Sequence, residues 1–200
     1  MTKLLIATNN AHKVKELAQI LGDLPYTLTN LAQEGIVHEV EETGSTYAEN
    51  ALLKARTYAA LSGLLTLADD SGLEVAALDG EPGIRSARYA GEVAANPLRI
   101  AKLLHKLAGV PWERRQARFV CVIALVTPQG EEHLFQGDCQ GIIALAPKGK
   151  QGFGYDPVFY MPEYGATMAE LPEAFKNQIS HRARAGQAAA AFLRGSLYIS

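Results

Sequence analysis

Two adjacent aspartates, Asp69 and Asp70, follow the apolar run Leu64-Leu65-Thr66-Leu67-Ala68. The run reads as a buried strand, and Ser71-Gly72 beyond the acids reads as a tight turn that ends it. Two carboxylates crowded at a strand end repel, which pushes one pKa up. A hard divalent cation takes oxygen ligands and removes that repulsion. A solvated Asp-Asp turn fits the same residues equally well.

Five further clusters place polar side chains between well-formed elements, where sites usually lie. In the first, Thr8, Asn10 and Lys13 sit between a strand and a helix. Amide donors, a hydroxyl and a lysine at a helix start can grip an anion, and they can equally be a cap and a surface lysine. The pattern G-x-x-x-x-G-K-[ST] is absent, so phosphates would be held by side chains as well as backbone. In the second, Thr46 and Glu49 have capping-box spacing, which leaves Glu41, Glu42 and Asn50 without a structural reason. Asn50 and Lys54 are four apart and share a helix face, lining either a cleft or a solvated edge. The third, Gly80 to Ala90, turns at Pro82-Gly83; its Ser86-Ala87-Arg88-Tyr89 reads as structural or as part of a dimer surface. In the fourth, glycines around Phe153 leave the ring open to a planar ligand, and Asp156 can accept from a ring N–H. A glycine-rich turn with a core Phe is the alternative. The fifth is Lys176 followed by Ser180-His181-Arg182, a donor array at a helix start. His12, His38, His105 and His133 show no partner pattern and read as surface residues.

The elements that must position these clusters follow from hydrophobic periodicity. Leu4 to Ala7 is continuous rather than alternating, as in a strand buried on both faces. Val14, Leu17, Ile20 and Leu21 have helical spacing, with Gly22 as the stop. A second helix is predicted from about Tyr47 to Leu61, ended by Gly63. Asn96-Pro97 opens a third, carrying Leu98, Ile100, Leu103, Leu104 and Leu107. Ala117–Val126 and Glu132–Ala146 form a hairpin about Pro128-Gln129-Gly130. A loop rich in Gly and Lys, Pro147 to Gly154, precedes the aromatic cluster, and a last helix begins near Ser180. Helices and strands do not alternate strictly, so the sheet is expected to be mixed.

Composition bounds the rest. With 200 residues, 48% hydrophobic and 20% charged, the chain fits one domain with a substantial core. A net charge of -2 gives no global attraction to nucleic acid or anionic membrane. The two cysteines, Cys121 and Cys139, lie in strand-like runs and read as inert core thiols in a reducing compartment. No stretch is long enough to span a membrane or serve as a signal peptide, so a cytoplasmic protein is expected.

The clusters taken together resemble the inosine/xanthosine triphosphate pyrophosphatase family, enzymes that clear non-canonical purine nucleotides. The matching segments are Thr8-x-Asn10-x-x-Lys13, Glu41-Glu42-Thr43-Gly44 with Glu49-Asn50-Ala51, and Ala68-Asp69-Asp70-Ser71-Gly72-Leu73. Pro82-Gly83 with Ser86-Ala87-Arg88-Tyr89, Gly152-Phe153-Gly154-Tyr155-Asp156-Pro157 and Ser180-His181-Arg182 complete the set. They occur in the family's order and span nearly the whole chain. Tyr47 stands where that family commonly has Phe, and the tail from Gly195 to Ser200 is not placed by the match.

The resemblance implies an α/β fold: one domain over residues 1–200, two-lobed, with a long mixed sheet flanked by helices and an active-site cleft between the lobes. It implies a homodimer that hydrolyses ITP, dITP and XTP to the monophosphate and pyrophosphate with Mg2+. Thr8, Asn9, Asn10, Ala11, His12 and Lys13 would hold the phosphates, with Lys54 nearby. Glu42 and Asp70 would bind the metal, Asp70 would accept the proton of the attacking water, and Ser71 would contact substrate. Phe153, Gly154, Tyr155, Asp156, Lys176, His181 and Arg182 would hold the base. That donor set suits a 6-keto purine, because a 6-amino group would leave buried donors unpaired at roughly 1–3 kcal/mol each. Guanine shares the keto oxygen, so its rejection must involve the 2-amino group. A related pyrophosphatase for other modified nucleotides and a nucleotide sensor without turnover are the competing readings. A nucleic-acid binder lacks its basic stripe.

Overall fold

A strand covered on both faces needs apolar residues at successive positions, and Leu4, Leu5 and Ile6 supply them in β1 (Lys3–Ile6). The computed structural model describes residues 2–91 and 94–196, so the last four residues of the tail lie outside the description. After β1 come α1 (Ala11–Leu21), β2 (Thr27–Asn30), α2 (Tyr47–Ser62), β3 (Leu65–Val75), β4 (Pro82–Gly83) and α3 (Asn96–Lys106). Then follow β5 (Gln116–Val126), β6 (Glu132–Ile143), β7 (Phe159–Met161), β8 (Ala166–Thr167), α4 (Glu173–Ile179) and α5 (His181–Ser196).

The strands form one sheet in the order β2-β1-β3-β5-β6-β7-β8, with β4 paired to β3. β1 is parallel to β2 and β3. The pairs β3-β4, β6-β7 and β7-β8 are antiparallel. The sheet is therefore mixed, as the irregular alternation of elements predicts. The chain divides into two compact units, and β3, β5 and β6 each give residues to both.

The first unit comprises the chain up to Asp70, Cys121–Gly137 and the segment from His181. Leu4, Ile6, Leu67, Cys121 and Ile123 pack with Leu17 and Leu21 of α1 and with Ala185, Ala189 and Leu193 of α5. Their neighbours Leu5, Ala7, Ala68, Val122 and Ala124 pack instead with Ala51, Ala55, Tyr58 and Ala59 of α2. Successive strand residues thus face opposite helical layers, which is why these strands read as unbroken apolar runs.

The second unit comprises Ser71–Val120 and Asp138–Ser180. Its core joins Leu73 and Val75 of β3 to Ile100, Leu103 and Leu107 around α3, and to Phe119, Ile143, Phe159 and Met168. Buried Arg115 secures the end of α3, donating from Nη2 to the Leu107 carbonyl at 2.8 Å and from Nε to the Val110 carbonyl at 2.9 Å.

One expectation is corrected. β3 does not end at Asp69-Asp70 in a Ser-Gly turn; it continues to Val75. Its second half is stabilised by the β4 pairing and by burial of Leu73 and Val75, so tertiary contacts override the turn propensity of Ser71-Gly72. Other differences are smaller. β2, β7, β8 and α4 were not expected, and each is too short for a clear period. Gly22 does follow the last residue of α1 as expected, in a right-handed conformation with φ -61°. β6 ends at Ile143 rather than Ala146. The hairpin turn closes as expected, with Thr127 N–H bonded to the Glu131 carbonyl at 2.9 Å. Both cysteines are buried thiols outside any disulfide.

The close approach of β6 to α5 depends on Gly137. A Cβ there would lie 2.4 Å from the His181 carbonyl oxygen and 2.5 Å from Ala185 N. Gly137→Ala is expected to cost about 1–3 kcal/mol by overpacking, read as a lower urea midpoint. An unchanged midpoint would show that the contact has slack.

Candidate active site

β3 delivers Asp69 and Asp70 to opposite sides of the sheet. Asp69 enters the α1 and α5 side. Its Oδ2 accepts from Lys13 Nζ at 2.9 Å and from Arg182 Nε and Nη2 at 3.3 and 3.2 Å. Arg182 in turn donates from Nη1 to Glu16 Oε2 at 2.7 Å. Asp69, Arg182 and Glu16 are all buried. Burial alone would raise the Asp69 pKa, but the fields of Lys13, Arg182 and Lys54 override it and hold this carboxyl well below the usual range. Cys121 lies beside Asp69, and burial followed by the Asp69 charge pushes its thiol up to about 12. A thiol so shifted is inert at neutral pH.

Asp70 enters the α2 side, in a different environment. Asn50 donates from Nδ2 to its Oδ2 at 3.2 Å, and Lys54 Nζ lies 3.6 Å from its Oδ1. Lys54 also donates to Glu42 Oε1 at 2.7 Å. Burial raises the Asp70 pKa; Lys54 opposes it, and the nearby Glu42 charge adds to it, leaving the group above its ordinary value. Burial disfavours the Lys54 cation, yet Asp70, Asp69 and Glu42 raise its pKa net. Asn50 is fixed by accepting from the Gly44 amide at 2.8 Å, which ties the Glu41–Ser45 segment to α2. The Thr46 hydroxyl caps α2 through Glu49 N–H at 3.1 Å. Glu49 reaches back to Ser45, accepting from its amide at 2.7 Å and its hydroxyl at 2.8 Å.

Between β1 and α1, Asn10 Oδ1 accepts from His12 and Lys13 amides at 3.0 and 3.4 Å, and the Thr8 hydroxyl accepts from Asn10 N–H at 3.2 Å. Asn9, Asn10, Ala11 and His12 are exposed, and Thr8 and Lys13 are half-buried. The segment therefore presents a helix N-terminus to solvent, while Lys13 already engages Asp69.

The second unit holds the aromatic cluster. Asp156 Oδ2 accepts from Lys176 Nζ at 2.6 Å and from the Phe153 amide at 2.9 Å. The Lys176 ammonium lies 4.9 Å from the Phe153 ring centroid. Gly152 has φ +73°, and a Cβ there would lie 2.0 Å from Asp156 Oδ2. Only glycine lets the carboxylate come so close. The Tyr155 hydroxyl donates to the Ser86 carbonyl at 3.0 Å. Ser86 Oγ accepts from Leu73 N–H at 2.8 Å and donates to the Gly83 carbonyl at 2.6 Å, so the Ser86–Tyr89 segment does fix the local backbone.

The structure thus gathers Lys13, Asp69 and Arg182 in one cluster and Glu42, Lys54 and Asp70 in another, both in the first unit. Phe153, Asp156 and Lys176 meet in the second unit, with Gly154 and Tyr155 in the same loop. Ser71 continues β3 beyond Asp70. Lys176 and His181-Arg182, which the sequence groups as one donor array, belong to different units. Glu16 was missed by sequence reading. Its one signal is its place three residues after Lys13, on the same helix face.

Among the described residues, no group of three or more His, Cys, Asp or Glu gathers that could hold a metal ion. Glu42 Oε1 and Asp70 Oδ1 nevertheless converge on one cation, the Lys54 ammonium, at 2.7 and 3.6 Å. Two hard oxygen donors suit a Mg2+ ion that keeps its remaining positions for water and phosphate oxygens. No helix among the described residues is long and apolar enough to cross a membrane.

The model of the Ham1 family matches residues 4–192. A protein of Geobacter sulfurreducens named dITP/XTP pyrophosphatase is 53% identical over 185 residues, 92% of this chain and 93% of its own. One of the same name from Desulforamulus reducens is 52% identical over 183 residues, 92% of this chain and 91% of its own. The solved structure of a HAM1 protein from Coxiella burnetii superposes with a TM-score of 0.89 at 42% identity, covering 98% of this chain and 100% of that one.

Asp69→Asn would leave buried Arg182 and half-buried Lys13 short of a partner, and is expected to cost about 3–5 kcal/mol. Because the folded pKa of Asp69 lies below its unfolded value, its stabilisation is complete above the unfolded carboxylate pKa of about 3.9. It is lost as pH falls through the folded value. Denaturant curves should therefore show a constant deficit at neutral pH that narrows only in strong acid. A deficit that vanishes already at pH 6 would contradict a permanently ionised Asp69.

Proposed function

The chain belongs to the Ham1 family and is a hydrolase of the nucleoside triphosphate pyrophosphatase type, and on that premise we propose that it converts ITP, dITP and XTP to monophosphate and pyrophosphate with Mg2+. The observation that carries the proposal is Asp70, a buried carboxyl with a raised pKa that accepts from Asn50 and shares the Lys54 ammonium with Glu42. A base poised nearer to neutrality accepts a proton more readily.

In this reading Asp70 orients a water and takes its proton as the water oxygen bonds to phosphorus and the bridging oxygen leaves with pyrophosphate. Lys54 offsets the negative charge that builds on the phosphates. Glu42 and Asp70 would hold Mg2+, which when bound polarises phosphoryl oxygens as a Lewis acid. Thr8, Asn9, Asn10, Ala11 and His12 offer the α1 N-terminus and nearby polar groups to the phosphates. Lys13 adds charge there while remaining anchored to Asp69. Ser71 would contact substrate next to Asp70.

For the base, Phe153 supplies a stacking face, and the Lys176 ammonium held by Asp156 supplies a donor to a 6-keto oxygen. His181 and Arg182 would add donors, the guanidinium being fixed by Asp69 and Glu16. Gly154 and Tyr155 shape the loop that carries Phe153. On the family resemblance, the proposal extends to a cytoplasmic homodimer that removes these nucleotides before they enter DNA and RNA.

Phosphorus NMR of ITP turnover with Mg2+ should show monophosphate and pyrophosphate, whereas diphosphate and orthophosphate would contradict the proposed bond cleavage. Asp70→Asn should lower kcat about a hundredfold or more with an unchanged circular dichroism spectrum, and near-normal turnover would remove Asp70 as the base. Phe153→Ala should raise KM with kcat held, the stacking being worth about 1–3 kcal/mol. A steady KM would remove the stacking role.

A further inference from the structure

A cavity of about 640 Å³ lies within the second unit, lined by the segment 79–91 and by α3, and shares no lining residue with the clusters around Asp69, Asp70 and Phe153. Its volume is in the range of small-molecule sites. Two elements each present a pair of cations to it. Arg85 and Arg88 cap and end the 3-10 turn Ser86–Arg88, and residues three apart in such a turn lie in line. Lys102 and Lys106 are four apart on α3 and share a face. The described lining residues also include two carboxylates, Asp79 and Glu81, and Lys102 donates from Nζ to the Tyr89 carbonyl at 2.5 Å.

The carboxylates are partly committed. Glu81 accepts from Lys106 Nζ and from the Tyr89 hydroxyl, the latter at 2.9 Å. The Lys102 and Lys106 ammoniums stand 4.6 and 5.6 Å from the centroid of the Tyr89 ring, which covers the lysine pair from one side. Like charges repeated on one face destabilise an element, and here the pattern occurs twice around one concavity in a chain whose net charge is -2. An anion with two linked charged groups matches the two cation pairs that line the concavity. Arginine forks and lysine point charges are the side chains that phosphate groups select.

We propose that this groove binds an oligophosphate anion, one phosphate against the arginine pair and the next against the lysine pair. The assignment goes beyond the proposed hydrolysis and does not depend on it. Inorganic pyrophosphate is the probe, titrated without metal into isotope-labelled protein and followed by amide chemical shifts. Amides of Gly80, Gly83, Arg88 and Lys102 should shift and saturate together. Arg85→Gln/Lys102→Gln should weaken that binding at least about tenfold without moving the melting temperature. Should the double variant fail to fold, Arg85→Gln alone, an exposed substitution, should weaken it about threefold. Absent shifts at these amides, equal shifts from orthophosphate at matched ionic strength, or unchanged binding in the variants would each overturn the proposal. A sedimentation change showing that a second chain fills the groove would also overturn it.

Discussion

A carboxylate sealed inside a sheet is tolerated only when cations and hydrogen bonds replace the water it has lost. Asp69 meets that condition through Lys13 and Arg182, with Glu16 holding the other side of the guanidinium. The three charged partners come from α1 and α5, so a single buried anion links the first turns of two helices to the central strand. This constraint fixes where α1 begins relative to β3, and therefore where the Thr8–Lys13 segment presents its amides. It also fixes the Arg182 guanidinium, whose proposed duty toward the base needs a rigid side chain rather than a mobile one.

The same constraint separates the roles of two chemically identical neighbours. Asp69 is surrounded by positive charge and kept ionised. Asp70, one residue on and facing the opposite layer, has one lysine shared with Glu42, and burial leaves its pKa raised. Two aspartates on one strand thus become a fixed anion and a carboxyl with a raised pKa, because the strand turns them to different helices. Lys54 feels both acids, and this couples the two faces electrostatically.

Much of this was legible in sequence where local physics decides. The helix at Tyr47 was marked by Thr46 and Glu49, and the hairpin by Pro128-Gln129-Gly130. The continuous run at Leu4 announced a strand buried on both faces. β3 was misread because Ser71-Gly72 has strong local turn character, and only the β4 pairing and the core contacts of Leu73 and Val75 extend it. The candidate residues were legible as polar clusters, but not their partners. Glu16 looks like any helix-surface acid until α5, more than 160 positions later, brings Arg182 to it. Whether Asn50 and Lys54 lined a site or a solvated edge could not be read from their spacing. In the structure both side chains turn to the Asp70 carboxylate on β3.

The central claim is that Asp69 stays ionised while Asp70 titrates high. A metal-free carbon-13 titration of the two side-chain carboxyls tests it most directly. The account predicts an Asp69 resonance that is flat through the ordinary carboxylate range near pH 3.9 and an Asp70 resonance whose midpoint lies above it. An Asp69 that takes up its proton in or above that range, with Asp70 below it, would contradict the account.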